Sequence, residues 1–107
     1  MQSQRFYRNA ADIIKYGASR RFGVMGESWR HPRGWQAVRR IAPAGRRALV
    51  VIHTFADAPP EAAVPLESSG WRIDEEFPGT GAKLAGSELT WAPRGDFTAH
   101  AVLLSRT

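Results

Sequence analysis

The sequence predicts a mainly β protein, a Greek-key-like antiparallel β-sandwich with one N-terminal α-helix. Three observations carry that expectation: a helical repeat appears once, near the N-terminus; no stretch after Gly17 sustains it for ten residues without a proline or glycine; and short apolar segments then recur about every 8–14 residues with turn residues between them. The helix would take residues 1–17 and the sandwich residues 18–107, as parts of one domain, since a 107-residue chain is too short to hold two.

From Arg5 to Tyr16 the apolar residues Phe6, Ala10, Ile13 and Ile14 recur at steps of four, three and one, while Arg5, Arg8, Asn9, Asp12 and Lys15 fall mostly elsewhere. That is an amphipathic helix. Ser3 is placed to cap its start, and Gly17 to end it as a C′ residue in the left-handed conformation. Arg20 to Met25, Ser28 to Arg30 and Trp35 to Ile41 are strand candidates, and Pro43-Ala44-Gly45-Arg46 is a tight turn that sends the next run back antiparallel. That run, Ala48 to Phe55, is apolar on both alternating sets, with Leu49, Val51 and Phe55 on one and Ala48, Val50 and Ile52 on the other. It should be the central strand, buried on both faces.

Asp57-Ala58-Pro59-Pro60 ends the run, and Ala62 to Leu66 is an edge-like strand because Pro65 has no N–H for a ladder. From Trp71 to Phe77, Trp71, Ile73 and Phe77 alternate with Arg72, Asp74 and Glu76, one buried face and one wet. Glu75 breaks that alternation. After the loop Pro78-Gly79-Thr80-Gly81 come short strands at Lys83 to Ala85 and Glu88 to Trp91, then the turn Ala92-Pro93-Arg94-Gly95 and a closing strand from Phe97 to Leu104.

Composition narrows the chemistry. With no cysteine, the chain has no disulfide, thiolate metal site or thiol nucleophile. No apolar run approaches a membrane span, and the N-terminus is polar where a signal peptide would be apolar, so a cytoplasmic location is expected. Charge is unevenly spread: residues 1–53 carry eleven bases and two acids, residues 54–107 four bases and eight acids, giving +9 and −4. A basic half is one mark of a nucleic-acid surface, but 13 Arg and 16 Ala against two Lys also fit a coding bias, which disfavours nucleic acid as a partner.

No catalytic set assembles from the candidates, and no cofactor or metal site is expected. His31, His53 and His100 lack the short helical or hairpin spacing that pre-forms a metal site, and His53 and His100 fall in apolar strands as core or edge residues. Gly26-Glu27-Ser28-Trp29-Arg30 begins like a nucleophile elbow, but Arg30 stands where the second glycine is needed. Gly79-Thr80-Gly81-Ala82-Lys83-Leu84 matches half of a dinucleotide turn, with Leu84 at the third glycine and no helix after it. Glu75 and Glu76 point to opposite faces of one strand and cannot flank a scissile bond. Trp35, Trp71 and Trp91 sit in the strand pattern as core residues. Trp29, among Arg30, His31 and Arg33, is the residue from which a sugar or nucleic-acid contact would start.

The order of features resembles a family. A helix Phe6-Tyr7-Arg8-Asn9-Ala10-Ala11-Asp12-Ile13-Ile14-Lys15-Tyr16-Gly17 leads to a strand near Phe22; Gly34-Trp35-Gln36-Ala37-Val38-Arg39-Arg40, the run Ala48 to Phe55, Val64-Pro65-Leu66 and Gly70-Trp71-Arg72-Ile73 follow. Ala85-Gly86-Ser87-Glu88-Leu89-Thr90-Trp91 and Gly95-Asp96-Phe97-Thr98-Ala99-His100-Ala101-Val102-Leu103-Leu104 close the chain. Together these look like the C-terminal end of a family 36 glycoside hydrolase of the α-galactosidase type. The resemblance implies the last helix of a catalytic (β/α)8 barrel followed by a C-terminal antiparallel domain. It places both catalytic aspartates upstream of that helix, so none of Asp12, Asp57, Asp74 or Asp96 inherits the role.

The expected function is therefore a non-catalytic accessory domain, or a remnant of one, supporting a barrel that this chain does not contain. The helix stripe of Phe6, Ile13 and Ile14 needs a cover. It would fold back on the sandwich, or meet the barrel or another chain. A small basic nucleic-acid module and a sugar-binding module are the alternatives.

Overall fold

The computed structural model describes residues 6, 8, 10, 11, 13–15, 17–25, 34–58, 60–66, 68–93 and 95–106. Phe6, Arg8, Ala10, Ala11 and residues 13–15 are helical. Among the described residues eight strands follow: β1 (Ala18–Met25), β2 (Gly34–Ile41), β3 (Arg47–Thr54), β4 (Ala62–Pro65), β5 (Trp71–Phe77), β6 (Ala82–Ala85), β7 (Glu88–Trp91) and β8 (Ala99–Arg106). The expected strand at Ser28 to Arg30 and the cap at Ser3 lie outside the described residues.

The strands form two antiparallel sheets, β1-β2-β3-β8-β5 and β4-β7-β6. The chain passes between them after β3, β4, β5 and β7, so the fold is the antiparallel sandwich the turn spacing predicted. β4 touches β1 and β2, and β6 touches β5. β3 is the middle strand of the larger sheet. Its Ala48, Val50 and Ile52, with Ala37, Val102 and Leu104, face the smaller sheet's Ala62, Val64, Leu89 and Trp91. Its Leu49, with Ala101 and Leu103, faces the other way and meets Phe6, Ala10 and Ile13 of the helix. The described residues thus form three layers: helix, five strands, three strands.

Burial on the helix follows the sequence pattern. Phe6, Ala10 and Ile13 are at most 2% exposed, whereas Ile14 is 38% exposed. Of the proposed contact residues, Phe6 and Ile13 are covered by the chain's own sheet, and Ile14 remains at the surface. The helix ends at Gly17, whose N–H donates to the Ile13 carbonyl at 2.8 Å. The reason for glycine there differs from the expected left-handed cap. Gly17 does not take that conformation; a Cβ would stand 2.5 Å from the Ile13 oxygen and 3.1 Å from the Ile41 oxygen, so glycine allows the helix end to lie against β2.

Along β5 the structure corrects the expected single alternation. Ile73 pairs with Leu104 and Glu75 with Leu103, a β-bulge that inserts Asp74 as an extra residue. Before the bulge Trp71 and Ile73 face the smaller sheet. After it the faces exchange: Phe77 packs on the helix side, and Glu76 turns inward to meet His100 between the sheets. Glu75, which breaks the alternation, is the sequence trace of that bulge.

Several strand limits also move by one or two residues. β3 stops before Phe55, and β8 starts at Ala99 because Phe97 has φ of 55°, incompatible with a strand. Among the described residues no helix is long and apolar enough to cross a membrane.

Removing three carbons from a fully buried helix position leaves a cavity that packed neighbours only partly fill. Ile13→Ala should therefore lower the unfolding free energy by about 2–5 kcal/mol in urea titration, and Ile14→Ala by no more than about 0.5 kcal/mol. Equal losses at both positions would show that the helix is not docked on this sheet.

Candidate functional site

Strand pairing gathers the chemistry-bearing residues at one end of the sandwich. Met25 pairs with Gly34, Trp35 with Thr54, Ile52 with His100, Phe77 with Ala101, and Trp91 with both Ala62 and Ala82. The loops at 55–61, 78–81 and 92–98 leave from that end. Trp29, Arg30, His31 and Arg33, and with them the expected sugar or nucleic-acid contact, lie outside the described residues.

Glu76 and His100 form the buried polar centre of this end. His100 Nε2 donates to Glu76 Oε1 at 2.8 Å, with the two side chains 2% and 9% exposed. The same oxygen accepts the Ala82 N–H at 2.7 Å, so a residue of the larger sheet bonds the first residue of β6. The imidazole lies flat on the Trp91 indole, with centroids 4.8 Å apart and planes 7° from parallel. A carboxylate, an imidazole and an indole from three strands thereby join the two sheets. Both polar groups are held by the fold and screened from water, an arrangement suited to fixing geometry.

Beside it, Thr54 organises the loop that precedes β8. The Thr54 N–H donates to the Thr98 carbonyl at 2.8 Å, and the Thr98 N–H donates to Thr54 Oγ1 at 2.9 Å. Thr54 Oγ1 lies 2.9 Å from the Gly95 carbonyl and 2.7 Å from Thr98 Oγ1. Asp96 Oδ1 accepts the Ala58 N–H at 2.8 Å, linking this loop to the one after β3. Phe97, at the tip, is exposed.

The remaining sequence candidates are scattered. His53 is exposed on the helix side of the larger sheet, while His100 is buried on the opposite side, so these two cannot share an ion. Trp71 and Trp91 are buried and Trp35 packs against the same core, as expected for core tryptophans. Glu75 and Glu76 do point to opposite faces. Gly79 and Gly81 lie in the β5–β6 connection with positive φ, and β6 rather than a helix follows.

Several of the arginines are bound into the structure. Arg39, 4% exposed, donates from Nη1 to the Pro65 carbonyl at 2.6 Å and lies 4.9 Å over the Phe22 ring. Arg40 donates from Nε to Ser19 Oγ at 2.8 Å and from Nη1 to the Ile14 carbonyl at the helix C-terminus. Arg106 covers the Trp71 ring at 5.3 Å and donates from Nε to the Gly45 carbonyl at 2.8 Å. Arg20 also stands over Phe22, at 5.4 Å.

Neither the Glu76–His100 pair nor the Thr54 cluster was singled out by sequence reasoning. The signal for the first was the irregular Glu75, which places Glu76 on an inward position once read as a bulge. The second has no local signature, since 44 residues separate Thr54 from Thr98. Compared with protein-family models, curated proteins and solved structures, the chain matches none.

Deleting one member of a buried ionisable pair strands the other. Glu76→Ala should cost about 3–5 kcal/mol in chemical denaturation, because His100 and the Ala82 N–H both lose their acceptor. A loss under about 1 kcal/mol would mean that the pair is hydrated rather than sealed.

Proposed function

We propose that this chain is a non-catalytic β-sandwich domain of a sugar-cleaving enzyme of the α-galactosidase type, and that it supports a catalytic (β/α)8 barrel. The observation that carries the reading is the antiparallel sandwich after Gly17, the architecture that the resemblance implies for such a domain; the helix, which the resemblance assigns to the barrel, is docked on the sandwich instead. The placement of the polar side chains also supports it: Glu76, His100, Thr54 and Asp96 each bond another part of the fold, and so act as ties. The barrel is met by a surface other than the helix stripe, since Phe6 and Ile13 are buried within the chain.

Mixing the purified chain with an α-galactosidase-type barrel from the same genome, prepared without its own C-terminal sandwich, tests the reading. The expected result is a stoichiometric complex in light scattering, with slower thermal inactivation of aryl α-galactoside hydrolysis and no turnover by the chain alone. Hydrolysis by the isolated chain, abolished by one substitution within it, would overturn the proposal. Binding to RNA or DNA with a steep inverse dependence on salt would favour the basic-module alternative instead.

A further inference from the structure

The edge of a β-sheet is a row of backbone donors and acceptors, and folded proteins close such rows by pairing, proline, bulges or charge. Among the described residues the larger sheet ends in β1 and β5, and the smaller in β4 and β6. β5 carries the bulge at Asp74 and is bound to β6 through the Glu76 carboxylate and the Ala82 N–H. β4 ends at Pro65, whose carbonyl is taken by Arg39. β1 has none of these devices: it is eight residues long, contains no proline and pairs with β2 without a shift of register.

The strands beside it fix where its backbone groups point. Gly34 accepts the Phe55 N–H and donates to the Ala56 carbonyl, so its groups face β3. Alternation along β2 then turns those of Trp35, Ala37, Arg39 and Ile41 toward β1, where their partners are Val24, Phe22, Arg20 and Ala18. Ser19 and Arg21 lie between those partners and aim their N–H and C=O groups outward. Both residues are exposed.

Side chains give this edge a sign and a polarity. Arg21 stands on the helix side, next to Arg40, which pairs across with Ser19. Arg40 donates to the Ser19 hydroxyl and the Ile14 carbonyl, both uncharged, and among the described residues no carboxylate bonds either guanidinium. β1, β2 and β3 together hold five arginines and no acidic residue. On the other side of the strand Phe22 packs, half-buried, against the core between the sheets. Like charge repels a second copy of this edge, whereas a strand with carboxylates on one side and apolar groups on the other matches both of its sides.

We propose that β1 is a docking edge for an extended segment in which acidic and apolar residues alternate. The segment adds a strand beside β1, with its carboxylates next to Arg21 and Arg40 and its apolar side chains next to Phe22. This goes beyond the supporting-domain reading and stands independently of it.

A labelled peptide of alternating glutamate and valine, equal in length to β1, tests it against the intact chain at low salt, by fluorescence anisotropy and amide hydrogen exchange. The expected result is saturable binding that slows exchange at the Ser19 and Arg21 amides, with no binding of the lysine–valine counterpart. Arg21→Gln leaves every backbone group in place and should weaken binding about two- to fivefold without lowering the melting temperature. Arg21→Pro also removes an outward N–H and should weaken it at least about tenfold; should that variant fail to fold, Arg21→Gln and the exchange pattern decide. Equal binding of the lysine peptide, protection confined to other amides, or undiminished binding by both variants would overturn the inference. A wild-type chain that binds neither peptide would overturn it while leaving the supporting-domain reading intact. Dimers of the wild-type chain in light scattering, with the same two amides protected, would overturn it in favour of pairing with a second copy.

Discussion

Ala48, Leu49 and Val50 are consecutive buried residues of β3, so water is excluded from both faces of one strand at once. A two-sheet sandwich covers one face of each sheet. The second face of β3 and of its neighbour β8, where Leu49, Ala101 and Leu103 project, needs a further layer. The N-terminal helix supplies it with Phe6, Ala10 and Ile13. At about 25 cal/mol per Å² of apolar surface removed from water, covering several such side chains far exceeds what an isolated helix of this length gains from its own hydrogen bonds. The helix exists because the sheet beneath it is apolar, and the sheet remains dry because the helix lies on it. Gly17 and Arg40 then fix how the helix leaves: glycine allows the close approach to β2, and the guanidinium binds a carbonyl at the helix C-terminus, where a cation is favoured.

Between the sheets the problem is different, because the smaller sheet has only four-residue strands. Apolar contact alone fixes neither the angle nor the register of so short a sheet. The Glu76 carboxylate adds direction. It accepts from His100 in its own sheet and from the backbone of β6 in the other, so the smaller sheet is fixed by a bond as well as by packing. The bulge at Asp74 is what makes this possible, since without it Glu76 would face the helix side and Phe77 would take its place between the sheets. A buried ionisable pair of this kind is weak evidence for net stability, because desolvation offsets much of the attraction. Its effect here is on which arrangement forms.

The sequence made the larger part of the fold legible where a single periodicity decides the outcome. The helix follows from Phe6, Ala10 and Ile13; the central strand follows from apolar residues on both alternating sets; and Pro65 marks β4 as an edge strand. What stayed hidden depends on a change of phase or on distant partners. One extra residue in β5 moves Phe77 to the other side of the sheet, and no local rule announces it beyond the irregular Glu75. His53 and His100 both lie in apolar strands, yet one is exposed and the other sealed, because their opposite parity sends one to the helix side and the other between the sheets. Phe97 reads as the start of a strand, and its actual backbone is imposed by Thr54, far away in sequence.

The charge asymmetry shows why composition is a poor guide to partners. The described residues from Gly17 through Phe55 include six arginines and no acidic residue, a balance that suggests a surface for polyanions. Three-dimensional placement gives several of those cations another task. Arg39 is inside the sandwich, where its guanidinium satisfies the carbonyl of Pro65 on an edge strand and lies on the Phe22 ring. A lysine has no planar group to lie on an aromatic ring while donating sideways to a carbonyl, and its ammonium is harder to dehydrate. Arg40 and, outside that run, Arg106 of β8 donate to carbonyls at a helix end and a turn, places where chain direction changes and backbone acceptors lack ladder partners. Arg39, Arg40 and Arg106 thus serve a small antiparallel fold with many turns and short edges, in which side chains complete hydrogen bonding that the ladders cannot reach.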